Sequence, residues 1–233
     1  MNSTGAKRSI SHRAFTVVEL IVVVAIGSIL IALIAGASNR VRLMSDNIGC
    51  VSNLRTIGLA IVSYAGDHDG YLPGPSYGSM PATYSYSLSG PYVLPVYLAP
   101  YLGSPAMENS VSHTCGTFQC PAYKYKKVLP AAQWNRARSY TAVYQLPQVQ
   151  VSGGLMASPW GRPEAPGLNM NSTPLKLAIL SSLVNPSTTW AIMDADVSAN
   201  LGGDGLSPTP VHSKHWNRLY FDFHVEATPT EAP

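Results

Sequence analysis

Proline and charge are both missing from the N-terminal part of this chain. All 19 prolines of the 233 residues lie at or after Pro73. Between Ala14 and Asn39 the only charged residue is Glu19. Proline interrupts helices, and a charge is unfavourable inside a bilayer. The two absences together favour an uninterrupted apolar helix in the first third of the chain.

Charge is scarce in the rest of the chain as well, which limits the classes of function. Charged residues make up 12% of the sequence, and the formal net charge is +3. This balance excludes a strongly basic nucleic-acid binder and a disordered acidic tail, so we expect no nucleic acid as partner. The common nucleophile, zinc-protease and phosphate-loop motifs are absent too. The sequence therefore predicts no enzymatic activity.

The apolar N-terminal segment is long enough to cross a membrane once. Twenty uncharged residues run from Leu20 to Asn39, and as a helix they cover about 30 Å, the thickness of a bilayer's hydrocarbon core. The preceding basic residues Lys7, Arg8 and Arg13 predict a cytoplasmic N-terminus. Two ordinary interpretations are a permanent anchor that retains Met1 and a secretory signal cut before Ser38.

The single acid of this segment has a local explanation. Thr16 and Glu19 form the T-x-x-E pattern of a capping box, in which each residue bonds the other at the start of a helix. An acid in a first turn also suits the helix dipole. We therefore predict that the helix starts near Thr16.

The same residues carry a family resemblance. A short basic leader followed by Phe15-Thr16-Val17-Val18-Glu19-Leu20 and a long apolar helix resembles the class III signal of type IV pilins and type II secretion pseudopilins. The resemblance implies that a prepilin peptidase cuts between Ala14 and Phe15 and methylates the new amino group. Most members of that family have Gly where this chain has Ala14. It also implies that Glu19, next to Thr16, pairs with the Phe15 ammonium of a neighbouring subunit during assembly.

The helix is expected to continue beyond the membrane with one apolar side. Apolar residues recur every three or four positions, at Val41, Met44, Ile48, Val51, Leu54, Ile57, Ile61 and Tyr64. The turn-forming sequence from Ala65 to Gly74 ends it. We therefore divide the chain into a leader (1–14), a transmembrane and filament-core helix (15–38), an amphipathic continuation (39–69) and an extracytoplasmic head (70–233).

The head shows strand patterns near its C-terminus. Segments 188–194 and 217–226 are predicted strands, and apolar and polar residues alternate in the second. This predicts an α+β, pilin-like fold in which the long helix packs on an antiparallel sheet. The turn that starts at Asp69 resembles the D-G-x-x-P sequence of pseudopilin-like proteins with large C-terminal domains. The spacing of His212 and Asp222 resembles the H-x9-D-G sequence with which those proteins end. Phe223 stands where that ending has Gly.

Three cysteines allow one disulfide and leave one thiol. In an oxidising compartment one pair is expected to form. The short spacing of Cys115 and Cys120 favours their pairing, whereas a Cys50–Cys120 bond would instead link the helix to the head. Both pairings stay open on the sequence.

Metal-binding patterns are indistinct. Asp194, Asp196 and Asp204 lie around a glycine-rich stretch and are candidate calcium ligands. His212, His215 and His224 are candidate zinc ligands. Neither group has the spacing of a defined site, so we predict no cofactor, with calcium as the alternative.

A segment rich in tyrosine and proline opens the head, and it supports a second function. Residues 71–105 hold seven of the thirteen tyrosines, which form either a loop across the head or a platform for sugar rings or another surface ligand. The resemblance of the N-terminal segment implies a structural subunit of a type IV pilus or type II secretion pseudopilus, a single-pass protein of the bacterial inner membrane. Its expected partners are prepilin peptidase and copies of itself or of other pilins. The alternative is a membrane-anchored or secreted binding module.

Overall fold

A computed structural model describes residues 16–87, 90–109, 111–126, 138–146, 149–151, 154–163, 172–197 and 206–230. Of residues 35–39 and 124–126 only the backbone is described. The chain divides into two compact units between Arg42 and Leu43. The predicted site residues Ala14, Phe15 and Asp204 lie outside the described residues.

One long helix, α1 (Val17–Asp67), opens the described chain. In the first unit its stretch Val17–Ile34 has a mean hydropathy of 3.0, and none of these residues is buried. A second stretch, Arg40–Asp67, is also apolar and long enough to cross a membrane, but 44% of it is buried in the protein. Both stretches qualify by length and composition, and burial separates them: the first is the membrane candidate, because the second has the burial of a core helix.

The second unit contains a five-stranded antiparallel sheet and small accessory elements. The sheet order is β1–β4–β7–β8–β9, and two separate ribbons pair β2 with β3 and β5 with β6. The strands are β1 (Ser79–Met80), β2 (Thr83–Tyr84), β3 (His113–Thr114), β4 (Tyr140–Ala142), β5 (Gln150–Val151), β6 (Leu155–Met156), β7 (Trp190–Asp194), β8 (His215–Tyr220) and β9 (Val225–Pro229). Short helices are α2 (Leu94–Leu98), α3 (Leu177–Leu183) and 3-10 turns at Ala99–Leu102, Gly116–Phe118 and Pro121–Lys126.

The end of α1 packs against this sheet. Leu54, Ile57 and Ile61 are fully buried. Gly58 lets the helix approach β8 closely, because a Cβ there would lie 3.2 Å from Leu219 Cδ1. The predicted α+β arrangement, a long helix followed by a mostly antiparallel sheet, is confirmed.

The buried face of α1 differs from the predicted stripe in its first part. Val41, Met44 and Ile48 are exposed, whereas Asp46 and Cys50 are buried. The predicted positions advance by about 3.3 residues per step, less than the 3.6 residues of a helical turn. Such a stripe winds around the helix, so its early members lie on the side away from its later ones.

The predicted strand 217–226 is two strands joined by a tight turn, so that prediction is wrong. Tyr220 N–H donates to His224 O (3.0 Å), and Phe223 N–H donates to Tyr220 O (2.9 Å). Phe223 closes this turn with φ +69°, the left-handed conformation that glycine adopts most easily. Apolar and polar residues keep alternating through the turn, so the sequence pattern is that of one continuous strand and does not indicate the reversal.

Candidate functional site

The N-terminus of α1 has the predicted capping box. Thr16 N–H and its hydroxyl both donate to Glu19 Oε2 at 2.9 Å, and Glu19 N–H donates to Thr16 Oγ1 at 3.3 Å. These bonds satisfy N–H groups that the first turn of a helix leaves without backbone partners. The carboxylate is exposed. Glu19 is thus both a cap and an acid available to another chain.

The cysteine pairing corrects the sequence prediction. The structure joins Cys50 to Cys120, with Cα atoms 4.9 Å apart, and leaves Cys115 as a buried thiol. The favoured Cys115–Cys120 pairing is wrong because each cysteine is held by a different partner segment. Cys115 N–H donates to Ala82 O (2.9 Å) beside the β2–β3 ribbon.

The segment around Cys120, in contrast, is held against α1. Asn53 Nδ2 donates to Gln119 O (3.0 Å), one residue before Cys120. A Cβ on Gly49 would lie 3.0 Å from Pro121 Cγ, one residue after it. These contacts on either side of Cys120 bring its thiol to Cys50 and away from its sequence neighbour.

A buried histidine and carboxylate lie beside this disulfide. His212 Nε2 is 3.5 Å from Cys120 Sγ and 3.5 Å from Asp194 Oδ2. Asn217 N–H donates to the same Asp194 oxygen at 2.7 Å. Burial raises the pKa of Asp194 to about 7, against the opposing effect of the Asn217 hydrogen bonds, and the nearby charge of Asp196 adds to the rise. The H-x9-D-G residue His212 therefore contributes to the interior of the head.

The three calcium candidates have other roles where the structure describes them. Asp194 accepts from Asn217 and pairs with His212. Asp196 accepts a short hydrogen bond from the Trp216 indole N–H. Both side chains are fully buried, so their oxygens serve the interior of the head.

The zinc-candidate histidines separate into two places. His212 and His215 stack with ring centroids 5.4 Å apart, whereas His224 contacts Asp222 in the β8–β9 turn. Among the described residues a different cluster has metal-ligand spacing: Cys50, Cys120 and His212, whose ligand atoms all lie within 4.8 Å of one another. Sequence reasoning missed it because its members are 70 and 92 residues apart.

The tyrosine-rich segment combines buried and exposed rings. Tyr84 is fully buried, whereas Tyr77 and Tyr92 are partly exposed and meet edge to face. The Arg162 guanidinium lies 4.2 Å from the ring centre of Tyr144 and 5.6 Å from that of Tyr77. An open cavity of about 520 Å³ adjoins these rings. Its walls include Tyr77, Arg138, Tyr140, Tyr144, Trp190 and Leu206.

Comparison with known proteins identifies the N-terminal segment. Residues 11–35 match the family model described as the prokaryotic N-terminal methylation motif. No curated protein and no solved structure gave a significant match to the chain. The motif supports a type IV pilin-like or pseudopilin-like precursor that is anchored in a membrane and processed by prepilin peptidase. The family that this motif defines is one of structural proteins.

Proposed function

We propose that this protein is a structural subunit of a type IV pilus or a type II secretion pseudopilus. The supporting observation is that the matched motif coincides with the start of an apolar helix whose side chains between Val17 and Ile34 are unburied. Apolar side chains without partners need a bilayer or neighbouring helices around them. In a filament the same surface leaves the membrane and packs against equivalent helices.

Processing prepares the chain for assembly in this proposal. Prepilin peptidase removes residues 1–14 by cutting between Ala14 and Phe15, and the new amino group of Phe15 is methylated. The leader carries Lys7, Arg8 and Arg13 and no acid, so its loss removes the whole net charge of +3. Residues 15–38 span the inner membrane, residues 39–69 continue the helix, and the head from residue 70 lies outside the cytoplasm.

Glu19 sets the register between subunits in this proposal. Its two bonds from Thr16 share Oε2, so a neighbour's Phe15 ammonium can approach Oε1 without displacing the cap. A buried carboxylate without a counter-charge is strongly unfavourable, whereas an ion pair at a fixed axial offset is tolerated. The main effect of the ion pair is therefore to select one axial offset between neighbouring helices. Its contribution to the stability of the filament is the smaller effect.

The experiment compares filament yield and processing for two substitutions. Glu19→Ala should be inserted and cut at Phe15 but should give little or no filament, because a cavity in the packed helices then replaces the counter-charge. Glu226→Ala removes an exposed acid from the head and is the control. Mass spectrometry of the N-terminus and sheared-filament yield are the measurements. Normal filament yield from Glu19→Ala would refute the assembly role.

A membrane-anchored or secreted binding module is the second candidate. The aromatic cavity beside Tyr77 and Tyr144, with Arg162 against both rings, is the observation that favours it. Aromatic faces stack on sugar rings, and a guanidinium binds their hydroxyl groups. The mature N-terminus separates the candidates: methylated Phe15 supports the pilin, Ser38 a secreted module and Met1 a plain anchor.

A further inference from the structure

We propose that, when its cysteines are reduced, the head binds one Zn²⁺ ion through Cys50, Cys120 and His212. The three ligand atoms already lie within 4.8 Å of one another. Two thiolates and an imidazole are a donor set that zinc prefers. This inference concerns the head and does not depend on filament assembly.

The distances fit a tetrahedral ion after one small change. With Zn–S near 2.3 Å and Zn–N near 2.05 Å, a tetrahedral site separates sulfur from nitrogen by about 3.5 Å and two sulfurs by about 3.8 Å. Cys120 Sγ and His212 Nε2 are already 3.5 Å apart. The two sulfurs must separate, and breaking the disulfide allows that movement, while Cys50 Sγ and His212 Nε2 already lie within 4.8 Å of each other.

A buried carboxylate lies beside His212 at the edge of this cluster. Asp194 Oδ2 lies 3.5 Å from His212 Nε2. Asp194 Oδ1 is buried and has no hydrogen-bond partner among the described residues. A buried carboxylate oxygen without a donor is unfavourable unless a cation or a proton is near it. Asp194 is outside the group of ligand atoms that lie within 4.8 Å of one another, so a water molecule fills the fourth zinc position and Asp194 is the carboxylate beside the site.

The cluster is held rigidly but can be reached from outside. Cys50 belongs to α1, Cys120 is fixed on α1 by its neighbours, and both are fully buried. An open cavity of about 210 Å³ lies on the histidine side and is lined by residues including Met44, His212 and His215. An ion can enter there, and ligands that the fold already brings together need little rearrangement to bind it.

Zinc and the disulfide exclude each other at this site. A disulfide oxidant takes two electrons from the two zinc-bound thiolates, becomes a pair of thiols with two protons from solvent, and leaves the Cys50–Cys120 bond and free Zn²⁺. The atoms and charges balance without any other reactant. The newly made chain, whose cysteines are thiols, can therefore bind zinc until such an oxidant reaches it.

The test uses the full chain in detergent, reduced with a phosphine under anaerobic, chelator-washed conditions. Co²⁺ replaces zinc as a spectroscopic probe. We expect one Co²⁺ per chain, a thiolate-to-cobalt charge-transfer band and intense tetrahedral visible bands, all lost when Zn²⁺ is added. Cys50→Ala, Cys120→Ala and His212→Ala should lose the tetrahedral spectrum. Cys115→Ala and His224→Ala, which change residues outside the cluster, should retain it.

Alkylation provides a second measurement that does not depend on colour. In the reduced Cys115→Ala chain the two remaining thiols are buried and react slowly, and zinc should slow the alkylation of both further compared with the zinc-free chain. If reduction unfolds the head, zinc must restore its circular dichroism, because metal binding then supplies folding free energy. A reduced chain that shows no thiolate–cobalt band, no protection and no refolding with zinc overturns the proposal.

Discussion

The Cys50–Cys120 bond should contribute strongly to the stability of the head, and Cys50→Ala tests this directly. The two cysteines are 70 residues apart in sequence. Closing a loop of that length lowers the entropy of the unfolded chain by an amount worth about 4 kcal/mol at 25 °C, whereas the five-residue loop of a Cys115–Cys120 bond would be worth only about 2 kcal/mol. Position 50 lies inside α1, where alanine has the most favourable helix propensity.

Cys115→Ala is the matched control for this experiment. Cys115 is also buried, with 2% of its surface exposed, but it carries no disulfide. Its replacement removes one sulfur atom from the interior, which we expect to lower the free energy of unfolding by about 1 kcal/mol. The two variants thus make the same chemical change and differ in the covalent link.

Urea unfolding of the oxidised full chain in detergent, with a chelator present, is the assay. All four tryptophans lie after residue 130, so their fluorescence reports the head and not the membrane segment. Cys50→Ala loses both the link and the buried sulfur, so with a slope near 2 kcal/mol per molar urea it should lower the midpoint by about 2.5 M, whereas Cys115→Ala should lower it by about 0.5 M. Equal shifts, or a larger one for Cys115→Ala, would contradict the pairing and the entropy argument together.

Two further predictions concern the packing of α1 on the β8–β9 hairpin, both measured by the same urea assay. Phe223→Gly should be about 1 kcal/mol more stable than Phe223→Ala, because both lose the ring but only glycine relieves the left-handed backbone at φ +69°; equal midpoints would refute this. Gly58→Val should lower the free energy of unfolding by about 1–3 kcal/mol, since its side chain must enter the contact with Leu219. Gly66→Val has open space and should not destabilise the head; a loss as large as that of Gly58→Val would contradict the packing argument.

The sequence predicts local structure correctly where a few neighbouring residues decide the backbone conformation. The capping box needs only Thr16 and Glu19, three residues apart, and the structure forms it. The β7 strand was expected from residue 188 and begins at Trp190. In both cases the backbone conformation follows from short-range hydrogen bonding and from alternation.

The remaining features depend on contacts between distant segments. Short spacing favoured Cys115 for Cys120, but Asn53 and Gly49 fix the Cys120 segment on α1. The contact between His212 and that disulfide likewise requires the loop before β8 to lie beside α1. Spacing in sequence carries no information about such docking, because it arises from the packing of the whole head.

The hairpin turn shows a second kind of failure, because the residue type that usually marks such a reversal is missing from the sequence. A glycine at position 223 would have marked the reversal. Phe223 keeps the left-handed backbone and contributes a ring that packs close to Gly58 of α1. Tertiary packing has thus overridden local preference at this position.

The order of the cysteines also has a consequence for how the bond is made. If the N-terminus stays in the cytoplasm and the head crosses the membrane in the order of its sequence, Cys50 emerges first, then Cys115 and then Cys120. An oxidant that joined cysteines as they emerged would produce the pair Cys50–Cys115, which the finished head does not contain. The native bond must therefore wait for the Cys120 segment to dock on α1, or a disulfide isomerase must correct an earlier pairing. Burial of Cys115 then withdraws the competing thiol from exchange.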